Sequence, residues 1–139
     1  MSGDPATAER AKPLLERIGS KMYYTGEGEQ ARVLKLAINA MLAATAEMLA
    51  EVVTLCEASG IDRALALDVV IGSIIGSPFV KYKRDALVNR HCDATFTTAM
   101  MLKDLQLTQG AAADQALELP VARLVTELAL ATCQEGLVT

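Results

Sequence analysis

The chain has 139 residues, 52% of them apolar, with two Phe, three Tyr and no Trp. That is one domain's worth of chain, and a core drawn from Leu, Ala, Val, Ile and Met favours packed helices over a β-sandwich. A formal net charge of −4 with both signs scattered gives no electrostatic footprint for nucleic acid or anionic lipid.

Asp4-Pro5 is a helix start, a capping carboxylate followed by proline at the first helical position. The helix should run to about Ile18, with Pro13 a weak point, and end at Gly19-Ser20. "KMYYT", Lys21 to Thr25, reads as a short strand, yet no second strand follows to pair its backbone groups. Next comes Gly26-Glu27-Gly28-Glu29-Gln30-Ala31, whose G-x-G-x-x-A spacing matches a dinucleotide-binding fingerprint on paper. Glu27 and Glu29 would meet the pyrophosphate with negative charge, and no parallel strand returns within about thirty residues, as that fold requires. The segment therefore reads as a joint, its glutamates favouring the positive end of the helix that follows.

That helix spans about 27–59, with apolar or small residues at Leu34, Ile38, Met41, Leu42, Thr45, Leu49, Val52 and Cys56 and a stop at Gly60. Its length of roughly 45–50 Å implies wrapping by other helices or sharing with a partner subunit. Its most apolar part, Val33 to Val53, carries Lys35, Asn39, Glu47 and Glu51, which suits a core helix rather than a membrane span. Asp62 caps a helix that stops near Gly72 to Gly76, and Pro78 opens another to about Val88. "NRHCDAT" is a loop, Thr95 or Thr97 caps a helix to about Ala113, and Pro120 opens the last, to about Gln134. The expected fold class is all-α: one long helix with four or five further helices, preceded by a lone helix and strand.

Three cysteines without a C-x-x-C pair, and no apolar leader in "MSGDPATAERAK", point to a reducing cytoplasm, with Cys56 and Cys133 in the core. His91 beside Cys92 lacks a third ligand at usable spacing, so no metal is expected. Met100-Met101 reads as packing. Glu47 and Glu51 share a helix face without further support for paired-carboxylate chemistry.

Lys35 and Asn39 are four apart, about 6 Å along one helix face. Their stripe continues through Leu42, Ala43 and Ala46. A lysine in that company either snorkels to solvent or sits at a lined cleft, where it can handle a proton while Asn39 orients a substrate carboxylate. Spacing alone leaves both readings open.

The glycine turn, K-x-x-x-N at Lys35 and Asn39, "EVVTLCEASGID" (Glu51 to Asp62), Phe96 and "MLKDLQLT" (Met101 to Thr108), taken together and in order, resemble the β-hydroxyacid dehydrogenases. This is the group of 3-hydroxyisobutyrate and tartronate semialdehyde reductases, with a helical domain like the C-terminal domain of 6-phosphogluconate dehydrogenase. The resemblance covers the whole chain. It implies that residues 1–25 are the last helix and strand of a nucleotide-binding domain, and that 26–139 form the helical substrate and dimerisation domain. It further implies NAD or NADP as cofactor, bound mainly by the preceding domain, and a small 3-hydroxy acid or semialdehyde as substrate. Lys35 matches the acid/base lysine, Asn39 the substrate-orienting asparagine, and Lys103 with Phe96 the cofactor-reaching positions. Phe96, seven residues and so about two helical turns before Lys103, is expected on about the same face, and adjacent Asp104, about 100° away, is expected to anchor the helix. Departures are Ala31 and Glu29, where the family commonly has glycines four and six before the lysine. The family's Ser-Gly-Gly segment and true G-x-G-x-x-G would lie upstream, so these residues alone are expected to be inactive. A homodimer or homotetramer through the long helix is expected. The alternative is a non-catalytic helical dimerisation module in which Lys35 is a solvated bystander.

Overall fold

A computed structural model describes residues 1–91 and 96–136. They contain six helices: α1 Pro5–Ile18, α2 Gln30–Ala58, α3 Arg63–Gly72, α4 Pro78–Asn89, α5 Thr98–Ala113 and α6 Pro120–Gln134. Local chemistry sets most boundaries. Asp4 Oδ2 accepts from Thr7 N at 2.8 Å, Asp62 Oδ1 from Leu65 N at 3.0 Å, Ser77 Oγ from Val80 N at 3.2 Å and Thr97 Oγ1 from Met100 N at 3.3 Å, each satisfying an orphan donor of a first turn. Of the two expected caps for α5, Thr97 serves; Thr95 and Cys92 lie outside the described residues.

α2 ends in a Schellman motif. Gly60, at φ +80°, donates to Glu57 O at 3.0 Å while Ile61 N reaches Cys56 O at 2.9 Å, the left-handed turn that glycine makes without strain. The same bond pattern closes α5 around a non-glycine. Ala116 sits at φ +53°, with Ala116 N on Ala113 O and Leu117 N on Ala112 O, both 2.9 Å.

Two small cores sit on one helix. The first half of α2 packs against α5 and α6 around Ala43, Leu105, Val125 and Ala129. Its second half packs against α3 and α4 around Leu49, Val53, Leu67 and Val80. Arg63 ties the second group together. Its Nε and Nη2 grip both oxygens of Glu57 at 2.9 and 2.6 Å, and its Nη1 donates to Leu87 O at 3.0 Å.

Three expectations are corrected. The residues buried on α2 are Leu36, Ala43, Leu49 and Val53, whereas Leu34, Ile38 and Met41 from the expected stripe are 47%, 51% and 73% exposed. α2 is apolar on most of its circumference, so periodicity cannot select its inward face, and alanine allows the close approach to α5 and α6. By length and composition α2 does qualify as membrane-crossing, but a core helix meets the same criterion, and cores on both halves of α2 use it as one. Cys56 and Cys133, expected in the core, are only half-buried.

The third correction is the strand. Among the described residues there is none. Lys21–Thr25 bonds to the first three residues: Met1 N to Tyr23 O at 2.5 Å, Thr25 N to Met1 O at 2.9 Å and the Tyr24 hydroxyl to Gly3 O at 2.8 Å. Three residues alongside supply too few ladder bonds for a strand.

Candidate active site

The G-x-G-x-x-A turn makes no phosphate cradle. Gly28 N donates to the Gln30 side chain at 2.7 Å, and Gly26 O is taken by Gly3 N. Ser2 Oγ accepts from Ala31 N at 3.4 Å at the start of α2, and Glu29 pairs with Arg32 at 2.5 Å. The N–H groups that would meet a phosphate are thus partly occupied, and negative charge stands beside them.

One turn further on, Lys35 and Asn39 converge on a single atom. The Lys35 ammonium donates to Oδ2 of Asp104, and Asn39 Nδ2 reaches the same oxygen at 2.7 Å. Lys103 Nζ lies 3.2 Å from Oδ1. Asp104 is 2% exposed, next to core residue Leu105, while the Lys35 and Lys103 side chains are 56% and 63% exposed. The Lys35 ammonium holds the Asp104 carboxyl down at about 2; burial pushes the other way, and Asn39 and Lys103 add to the lowering. Thr108, one turn along α5, braces the arrangement: its buried hydroxyl lies 2.8 Å from Asp104 O and 3.3 Å from Leu36 O, stitching α5 to α2.

Asn39 borders two cavities. A groove of about 460 Å³ runs between α2 and the first 25 residues, with Lys35, Asn39, Leu34 and Ile38 on one wall and Leu15, Ile18, Met22 and Tyr23 on the other. On the other side of Asn39 a chamber of about 400 Å³ is lined by Phe79, Tyr82, Phe96, Met101 and Leu105, with Glu47 and Lys83 at its polar positions. Phe96 therefore joins Asn39 and not Lys103. The expectation of a shared helical face fails because α5 begins at Thr98, leaving Phe96 before the cap, where helical spacing does not apply. Asp104 is the site residue that sequence reasoning placed only as a helix anchor. Its position beside Lys103 was the available signal, but nothing local places it against α2.

The sequence matches, over residues 29–138, the family described as "NAD-binding of NADP-dependent 3-hydroxyisobutyrate dehydrogenase". The chain belongs to this family. Among curated relatives, it is 26% identical to glyoxylate/succinic semialdehyde reductase 2 of Arabidopsis thaliana, over 91% of this chain and 36% of that protein. It is 27% identical to 2-hydroxy-3-oxopropionate reductase of Escherichia coli, over 97% of this chain and 44% of that protein. A solved structure of Mycobacterium tuberculosis 3-hydroxyisobutyrate dehydrogenase with L-serine superposes with a TM-score of 0.85 at 25% identity, over 96% of this chain and 48% of that one. The chain thus spans less than half the length of these relatives, and its helical architecture is that of the 3-hydroxyisobutyrate dehydrogenases.

The family implies a nicotinamide dinucleotide, and the donor set here fits one. Lys103 is an exposed cation held in place through one carboxylate oxygen, with further N–H donors for an anionic group.

Proposed function

We propose that this chain is the helical domain of an NAD- or NADP-dependent 3-hydroxyacid dehydrogenase, acting on a small 3-hydroxy acid or its semialdehyde. Residues 1–25 would be the end of a nucleotide-binding domain and 26–139 the domain that closes over the substrate. When bound, the nicotinamide supplies the hydride acceptor or donor. Lys35 handles the proton: as an ammonium it gives one to the carbonyl oxygen during reduction, and as an amine it takes one from the hydroxyl during oxidation. Asn39 adds no charge and orients the substrate carboxylate, and Lys103 holds the anionic part of the cofactor. Phe96 contributes from the chamber side of Asn39. The observation that carries this reading is the convergence of Lys35 and Asn39 on one buried carboxylate at the edge of a groove, since a solvated bystander lysine needs no such anchor. Residues 1–139 would not turn over unaided, because the glycine turn at Gly26–Ala31 is not a phosphate cradle.

Self-association belongs to the same reading. Met41, Met48 and Leu55 of α2 are 73%, 56% and 69% exposed, and Met41 and Met48 line an apolar groove of about 600 Å³ that pairing of domains into a dimer or tetramer would cover.

The test is Lys35→Ala in the complete protein, chain joined to its nucleotide-binding half. The expected loss in kcat is about 10²–10⁴-fold at unchanged thermal stability. An unchanged kcat with disrupted assembly would instead make this a helical interaction module.

A further inference from the structure

We infer that Asp104 is the positioning residue for Lys35: it fixes that ammonium at the rim of the groove. The inference rests on the reading above but begins from an energetic mismatch. A carboxylate 2% exposed, beside Leu105 at 1%, is costly to desolvate, and a buried ion pair often contributes less stability than apolar residues of similar volume. Its cationic partners gain little in return. Lys35 and Lys103 keep more than half of their side-chain surface in water and would be well solvated without it.

What Asp104 does supply is geometry. A lysine carries about 2 kcal/mol of rotamer freedom, and a groove-edge ammonium that samples all of it is rarely in place for proton transfer. Oδ2 accepts from Lys35 and Asn39 together, so the proton-handling and substrate-orienting groups are registered to one atom. Asp104 lies on α5, where the buried Thr108 hydroxyl shares its one proton between Asp104 O at 2.8 Å and Leu36 O of α2 at 3.3 Å. Lys103 on Oδ1 at 3.2 Å neutralises the side of the carboxylate that faces away from the pair.

The experiment has two independent arms. In this chain, amine labelling by a succinimidyl ester at fixed pH is followed residue by residue by mass spectrometry. Lys35 should label at least about fivefold more slowly than exposed Lys21 and Lys81, the fold-change that a tether of roughly 1 kcal/mol gives. Asp104→Asn and Asp104→Leu should remove that protection. In the complete protein the same variants should lose kcat on the order of 10²-fold, as misplacement by about 1 Å does, with a smaller change in KM and with Asp104→Leu retaining the thermal midpoint. Wild-type Lys35 labelling as fast as Lys21 would overturn the inference even if both variants failed to fold. So would folded variants with wild-type kcat in an active enzyme. A complete protein without dehydrogenase activity would remove the functional reading instead, and the labelling arm would still decide whether Asp104 tethers Lys35.

Discussion

Lys35 and Asp104, 69 residues apart in the chain, form an ion pair in which one member is half in water and the other almost wholly buried. The asymmetry gives the pair a pH signature. Asp104 is held at about 2 against an ordinary 3.8, so the folded state favours its charged form. The resulting stabilisation is complete above the unfolded-state value and is lost as pH falls from about 4 towards 2. Urea midpoints measured from pH 6 to pH 2 should fall across that lower window, and Asp104→Leu should flatten the fall. A variant profile parallel to the wild type would assign the acid loss to other carboxylates.

The paired helix ends at Gly60 and Ala116 predict opposite outcomes for reciprocal substitutions. Both residues are left-handed, at φ +80° and +53°, within the same Schellman bond pattern. Gly60→Ala introduces the Cβ penalty of that conformation and Ala116→Gly relieves it. Thermal unfolding should show a loss of about 1 kcal/mol for the first and a gain of roughly 0.5–1 kcal/mol for the second. Shifts of the same sign would contradict the geometry.

These helix ends also show what could be read without coordinates. Asp4, Asp62, Thr97, Pro120 and Gly60 act within a few residues of themselves, so their effect is written locally and the helices fall close to their expected bounds. Lys35 and Asn39 could be paired because i and i+4 share a helix face. Asp104 could not be joined to them, because its partner lies on another helix and no local rule sets how α5 crosses α2. The inward face of α2 was hidden for a related reason: with apolar residues on most sides, burial is decided by which neighbour can approach most closely, and small Ala43 wins over Met41. Lys21–Thr25 has strand composition, but a strand is completed only by the chain beside it.

Arg63 should be irreplaceable by lysine. It binds both oxygens of Glu57 and also caps α4 through Leu87 O, a planar fork that an ammonium cannot reproduce. Its side chain is 21% exposed and that of Glu57 30%, so the pair is partly shielded from solvent. Arg63→Lys and Arg63→Ala should cost similar amounts, about 1–3 kcal/mol, read as urea midpoints. Faster amide exchange in α3 and α4 than in α5 and α6 should accompany the loss. Full rescue by lysine would reduce the contact to a surface charge pair.

Asn39 carries the sharpest electrostatic prediction. Its amide donates to Asp104 Oδ2 at 2.7 Å, and Asn39→Asp replaces that donor with a second carboxylate of nearly the same shape. Two carboxylates at hydrogen-bond distance cannot both remain ionised at low cost, so one is pushed well above the usual carboxyl range. A raised folded-state value stabilises the protonated form. The variant should therefore be weakest near pH 7, by about 1–3 kcal/mol, and should recover as pH falls towards 5. Over that interval the wild-type contribution from Asp104 is constant, because its own titration lies far lower. Unfolding free energies at pH 5, 6 and 7 decide the matter: a flat variant profile would mean that Lys35 and Lys103 neutralise the added charge and that the carboxylate is less isolated than its burial implies.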